Sequence, residues 1–392
     1  MGILTRTLGS VMGAPERPIF SSARCINRCQ RKTTCTICYD LCPGKVFSMD
    51  PKEPLHWDQC TNCGLCVSAC PSRCFTPDKS LQKQYTENLD LSAPISFACF
   101  HENTPCTRRV ECMAGIPWEL IATLALYTHV VFYVGACSRC SHPKRVTCLR
   151  DNLKLVQDFL GAEHFAQRVH IMGQGRFELP KEDKAISRRD LFGGMGLSIG
   201  KTAARQILDM VPFLHEEEDA DNSMAYRQLL ADTVTKIRAN TQKAQEEAKK
   251  AQEEAQATAE AAKNDPSVEV PAVPAIPAMP TFGVHLPKFL KSCFGCNICE
   301  RICPHKALEV GPLKDGKRTI YITPSRCTAC GICSNICIHG GMSGTHLVQV
   351  PHLNRLPLVR VDSEGCSKCG MSIKPGTSVN GMCIVCARKK RW

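Results

Sequence analysis

Twenty-eight cysteines in 392 residues constrain this chain more than any other feature, and their spacing narrows it further. The stretch CTNCGLCVSACP, residues 60–71, sets four cysteines at intervals of three, three and four, with a proline after the last. CTACGICSNICI at 327–338 is a near-copy, and a third run places Cys293, Cys296, Cys299 and Cys303 before Pro304. Disulfide scaffolds of such density are usually secreted chains under ~100 residues, whereas this length predicts two to four modules at roughly 150 residues each. Metal ligation therefore explains the cysteines better than disulfides do.

Three cysteines spaced C-x2-C-x2-C wrap a short loop around one corner of an iron–sulfur cube, and the fourth, three residues on, turns away to ligate a neighbouring cube. Zinc knuckles come instead as two separated C-x2-C pairs. The regular runs are Cys60, Cys63, Cys66 and Cys70 before Pro71, the run from Cys293 to Cys303, and Cys327, Cys330, Cys333 and Cys337, where Ile338 replaces the usual proline. An irregular run holds Cys35, Cys38 and Cys42 before Pro43, with Lys32 at the first ligand position; Cys29 is the nearest replacement and Cys25 the next.

These runs resemble the bacterial dicluster ferredoxins over about 25–78 and 285–345. The resemblance implies four 4Fe–4S clusters and a crossed ligand pattern. Cys60, Cys63 and Cys66 would share a cluster with Cys42, and Cys29, Cys35 and Cys38 one with Cys70. In the second module Cys293, Cys296 and Cys299 would join Cys337, and Cys327, Cys330 and Cys333 would join Cys303.

The tail differs: Cys366-x2-Cys369 and Cys383-x2-Cys386 have the paired spacing of a zinc ribbon, for structural zinc or rubredoxin-like iron. Between the ferredoxin-like runs, APISFACF reads as a strand, RVECMAGIPWELIATLAL as a strand end and helix, HVVFYVGACSRC as a buried strand, and LRDNLKLVQDFLGA as a helix before RVHIM. This α/β order puts Cys99, Cys112, Cys137 and Cys140 at the carboxyl ends of strands, the edge where open α/β sheets bind ligands. Residues 93–175 resemble the small iron–sulfur subunit of methyl-viologen-reducing hydrogenases through VECMAGIPWELI and GACSRC. That resemblance implies a 2Fe–2S cluster on those four cysteines, with Cys106 and Cys148 as substitutes, and electron delivery to a heterodisulfide reductase-like partner.

Trp118 to Cys137 is long enough to test as a membrane span, but Glu119, His129 and the change to β-branched residues favour a helix followed by a buried strand. The N-terminus offers no continuous apolar run for export, and Arg6 stands where myristoylation wants Ser or Thr. SRRDLFGG at 187–194 reads as a helix start rather than a twin-arginine signal, and GGMGLSIG lacks the preceding strand of a dinucleotide site. From Ile237 a heptad of mostly alanine predicts a helix of about forty residues and roughly 60 Å. PSVEVPAVPAIPAMP then predicts an extended spacer, so the ferredoxin modules would be held by a long arm and need not touch. The formal charge of +12 invites a nucleic-acid reading, yet four cubes and one zinc on thiolates would supply about −10.

The expected architecture is α+β and multidomain. It comprises an extension (1–24), a dicluster module (25–90), an α/β iron–sulfur domain (91–180), a helical region with a long helix (181–265), a Pro-rich linker (266–284), a second dicluster module (285–350) and a zinc ribbon-like tail (360–392). The expected function is a cytoplasmic electron-transfer subunit, peripheral to membranes only through partners such as a flavoprotein, hydrogenase or formate dehydrogenase. It would have no catalytic residues, no nucleic-acid partner and no transmembrane span. The competing readings are a reductase of disulfides or thiols at the central cysteines, and a docking scaffold.

Overall fold

The computed structural model describes residues 17–29, 35–50, 53–173, 224–262 and 275–388. The arginine pair at 188–189, the glycine-rich stretch at 193–200 and the start of the chain lie outside these residues.

The first cysteine-rich region is built from short pieces: β1 (Ile19–Phe20), α1 (Ile26–Cys29), α2 (Ile37–Leu41), α3 (Leu65–Ala69), β2 (Phe75–Thr76) and α4 (Lys79–Thr86). β1 pairs antiparallel with β2 and brings Phe20 onto Phe75, ring centroids 5.1 Å apart. Asp78 caps α4 by accepting from the Leu81 N–H at 3.0 Å, the usual remedy for the orphan donors of a helix start.

The central domain follows as a four-stranded parallel sheet: β3 (Ile95–Cys99), β4 (Arg108–Val110), β5 (Val130–Tyr133) and β6 (Val169–Met172), in spatial order β4-β3-β5-β6. Its helices are α5 (Trp118–Tyr127), α6 (Pro143–Leu160) and α7 (Ala162–Arg168). Every residue of α5 from Trp118 to Leu126 is buried, because the central domain packs on one face and the long helix α8 (Ala225–Ala262) on the other. Burial from both sides accounts for a hydropathy that would otherwise suggest a membrane. No described helix is long and apolar enough to cross one.

α8 has 38 residues, roughly 57 Å at 1.5 Å per residue. It does not hold the two cysteine-rich modules apart. Tyr226, Leu229, Leu230, Val234 and Ile237 are buried in the same core as both modules, and the alanine stripe buries Ala248 and Ala255 as well. The end of the proline-rich segment runs beside the helix, where the Pro280 carbonyl accepts from Arg238 at 3.4 Å and that of Pro277 from Gln245 at 2.7 Å.

The second module contains β7 (Phe282–Phe289), α9 (Ile298–Ile302), β8 (Leu308–Val310), β9 (Lys317–Ile322), α10 (Ile332–Asn335), β10 (Met342–Val350) and β11 (Leu356–Asp362). β7 and β10 form one antiparallel ladder, and β11-β9-β8 another. It docks directly on the rest of the chain. Phe282 stacks on Phe159 of α6 with centroids 5.1 Å apart, His285 contacts Asp158 at 3.0 Å, and His305 Nε2 reaches the Ser72 carbonyl at 3.0 Å. The expected long arm between modules that need not touch is thus corrected: the modules do touch, and one apolar cluster runs from Val46 to Val361 through both. The tail, with β12 (Glu364–Gly365), β13 (Ser372–Ile373) and α11 (Ile384–Arg388), has a small separate cluster, among the described residues, of Cys366, Ile373, Met382, Cys383 and Cys386 with Ala387 packed on it. Such a core is too small to fold a module without a metal or similar staple.

Candidate metal centres

The three regular runs share one backbone trace. In each, the residue before the second cysteine and the one after it are left-handed: Asn62 and Gly64 (φ 48° and 74°), Gly295 and Asn297 (72° and 70°), Ala329 and Gly331 (56° and 77°). Two left-handed residues around one cysteine curl the loop so that three thiols face inward, and a helix then begins with the third cysteine in its first turn. Asn and Gly adopt this conformation readily, whereas at Ala329 it costs about 1–2 kcal/mol. In all four runs the last cysteine's sulfur accepts a backbone N–H from four residues on: Cys42 from Val46 (3.4 Å), Cys70 from Cys74 (3.4 Å), Cys303 from Ala307 (3.3 Å) and Cys337 from Gly341 (3.1 Å). Hydrogen bonds of this kind stabilise negative charge on sulfur and tune an iron–sulfur site.

In each module some thiols feel the sulfur of the last cysteine of the partner run. Cys60 lies in the field of Cys63 and Cys42, and Cys66 in that of Cys63, Cys60 and Cys42. Cys293 has Cys296 and Cys337 as neighbours, and Cys327 and Cys330 both have Cys303. Burial, reinforced by adjacent sulfurs, pushes the thiols of Cys38, Cys299 and Cys333 up to about 12. Bare thiolates are unfavourable in such places, while a metal core that binds deprotonated sulfur compensates the charge, so the donor sets suit thiolate-bound iron.

In the irregular run Cys35 stands before α2 and Cys38 within it. Their sulfur neighbours are Cys25 and Cys70. Asn27 ties the Cys25 segment down, donating to the Cys35 carbonyl at 2.6 Å and accepting the Cys35 N–H at 2.7 Å. The Cys29 side chain lies outside the described residues. A further thiol, Cys74, is buried against Cys70 and Cys25 and meets Ser72 Oγ at 3.0 Å. Sequence reasoning missed it, and the only signal was its position four residues after Cys70.

In the central domain, Cys99, Cys112, Cys137 and Cys140 line one cavity of about 170 Å³ at the carboxyl edge of the sheet, with His101, Arg139 and Arg145. Burial first, and neighbouring sulfurs after it, push Cys137 up to about 12. Cys106 and Cys148 do not line that cavity: Cys106 Sγ contacts the Arg108 carbonyl at 3.3 Å, and Cys148 is buried beside Ser68 Oγ at 3.9 Å. Cys112 also lies in the field of Cys63, because the loop Met113–Gly115 packs on the Cys63 loop. Glycine is required there: a Cβ on Gly115 would sit 2.2 Å from the Cys63 carbonyl oxygen.

In the tail the sulfurs of Cys366, Cys369, Cys383 and Cys386 all lie within 4.8 Å of one another, and Cys369 and Cys383 are 3.8 Å apart. A tetrahedron of ~2.3 Å metal–sulfur bonds needs sulfurs roughly 3.8 Å apart, so the set fits one ion. The Cys383 N–H, donating to Cys366 Sγ at 3.2 Å, helps to pull that thiol down to about 6.

Comparison with known families agrees with the two ferredoxin-like regions. Residues 292–340 match the 4Fe-4S dicluster domain, and residues 54–76 match the 4Fe-4S binding domain. No curated protein and no solved structure matches the chain. Neither family match reaches the central domain or the tail. The chain therefore carries ferredoxin-type 4Fe–4S domains on both sides of its central α/β domain, the equipment of an iron–sulfur electron-transfer protein.

Proposed function

We propose that this chain relays single electrons between partner subunits of a multi-subunit oxidoreductase, using four 4Fe–4S sites, a further cluster on Cys99, Cys112, Cys137 and Cys140, and no substrate-converting residues of its own. A 4Fe–4S cube, when bound, takes up and releases one electron at a potential that the protein sets. The residues do the rest: thiols hold each site, the last cysteine of each run accepts a backbone N–H, and the loops half-bury the thiols that they carry. The observation that carries the reading is the close succession of thiol groups. Cys112 neighbours Cys63, Cys66 neighbours Cys38, and Cys333 neighbours Cys299, while His305 joins the two modules at Ser72. The partners fitting such a relay are redox proteins such as a flavoprotein, hydrogenase, formate dehydrogenase or heterodisulfide reductase-like subunit. The tail is assigned structural zinc, since its four protein thiolates leave no open position.

An anaerobic reductive titration followed by electron paramagnetic resonance tests this. Stepwise one-electron uptake, with signals broadened by coupling between neighbours, is expected. Uptake of no electrons, or of one isolated signal, contradicts it. The cavity at the central cysteines supports a second reading, reduction of a disulfide or thiol substrate there. Turnover of a small disulfide by the isolated, reduced chain, abolished by Cys137→Ser, would favour that reading over the relay.

A further inference from the structure

At the seam between the modules, two arginines share one carboxylate oxygen. Glu119 Oε1 accepts from Arg73 at 2.5 Å and from Arg227 at 3.0 Å, while Oε2 is buried without a hydrogen-bond partner among the described residues. The Glu119 side chain is 1% exposed and the two arginines 10% and 11%. Each arginine turns its remaining donors on the backbone of a different cysteine loop. Arg73 donates to the carbonyls of Val67 and Ser68 in α3, beside Cys66 and Cys70. Arg227 donates to those of Pro324, Ser325 and Cys327, at 3.0, 3.2 and 2.6 Å, and lies over the Trp118 ring. α8 thus pins the Cys327 loop to the central helix α5.

The charges do not cancel. Two guanidinium groups against one carboxylate leave a buried surplus of one positive charge, and a buried unpaired ion is costly. Among the described residues the ionisable groups that act most on Arg227 are Glu119, Arg73 and the Cys327 sulfur, so the further negative partner at hand is the thiolate site to which Cys327 belongs. We propose that Arg227, held by Glu119, is a positioning residue that raises the reduction potential of the iron–sulfur site at Cys303, Cys327, Cys330 and Cys333, making it the preferred electron acceptor at the seam between the modules. Reduction adds a negative charge there, and a fixed cation in a low-dielectric interior favours the more negative state. Glu119 works in the opposite direction, screening the cation that it holds. The proposal rests on the electron-transfer reading.

The test is a set of full-length variants titrated anaerobically, with iron content measured first. The component of the titration that is lost or altered in Cys330→Ser identifies the site. In Arg227→Met that component should shift to lower potential and the others stay in place. In Glu119→Gln it should shift to higher potential, while Arg227→Lys, which keeps the charge, stays near the parent. Mere loosening of the seam would admit water and move both Arg227→Met and Glu119→Gln in the same direction, so shifts of one sign overturn the proposal. Where Arg227→Met does not fold, Glu119→Gln decides alone, and an unchanged or lower potential overturns it. Absence of cubane signals in the parent would contradict the electron-transfer reading itself, whereas cubanes with unmoved potentials contradict only the role of Arg227.

Discussion

The two cysteine-rich modules use the same ligand grammar but are finished differently. The second is regular: both of its loops carry the pair of left-handed residues, and both crossing cysteines accept their N–H. The first has one regular loop and one that lacks its leading cysteine, where Asn27 bonds to the Cys35 backbone and the remote thiol of Cys25 neighbours the Cys35 sulfur. Their surroundings differ too. The first module is pressed onto the parallel sheet, and Cys70 and Cys74 are buried, whereas Ile338 of the second, standing where proline would close the loop, is 76% exposed. A shared motif therefore does not fix the environment, and the environment sets the potential.

The largest effect that can separate the modules is loss of a whole site. Cys70→Ser should remove the cluster that depends on Cys35 and Cys38 and leave the one held by its own neighbours Cys60, Cys63 and Cys66, which iron content and resonance signals would register as about a quarter of the cubane iron. Loss of the Cys60 site instead would show that the crossing is wrong. Next comes the remote thiol. Cys25→Ser should empty the irregular site, and Cys29→Ser should leave its signal in place; the reverse result would return the role to Cys29.

A smaller effect is expected at the contact between the first module and the central sheet. Gly115→Ala drives a methyl group into the Cys63 carbonyl, and overpacking of this kind costs about 1–3 kcal/mol, readable as a lower midpoint in denaturant. Spin coupling between the Cys60 site and any cluster on the central cysteines should weaken with it. An unchanged midpoint would mean that the loops separate freely. The smallest effect concerns the tail. Ending the chain after Ser363 spares β11, whose Val361 is buried against the second module, and should cost one zinc while leaving all cubane signals. Cutting at 360 would damage the ladder of Arg360, Val361 and Asp362 with β9 and confuse the outcome.

Much of this was readable from the chain because it depends on local spacing. Cysteine intervals mark the ligand loops, and the alternation of β-branched and helical stretches marks β3, α5, β5, α6 and β6 in their order. The carboxyl-edge position of Cys99, Cys112, Cys137 and Cys140 followed from that order, and the structure brings the four to one cavity. The docking of the modules was not readable, because it is made by single residues far apart in sequence. Arg227 meets Glu119, His305 meets Ser72, and Phe282 meets Phe159, none with a periodic or compositional signal. The alanine-rich heptad misled for the same reason: it reports helix and length, but not that Tyr226, Leu230 and Val234 just before it are buried in the common core. Cys74 escaped because it falls outside the motif, though it packs against Cys25 and Cys70.

The central claim, that both modules hold cubes rather than isolated ions, is tested most directly by counting metal. Iron, acid-labile sulfide and zinc should be determined on the full-length chain reconstituted without oxygen. Four cubes predict about sixteen irons per chain with a matching amount of sulfide, and the tail adds about one zinc. Four or fewer irons, little sulfide and several zincs would contradict the account.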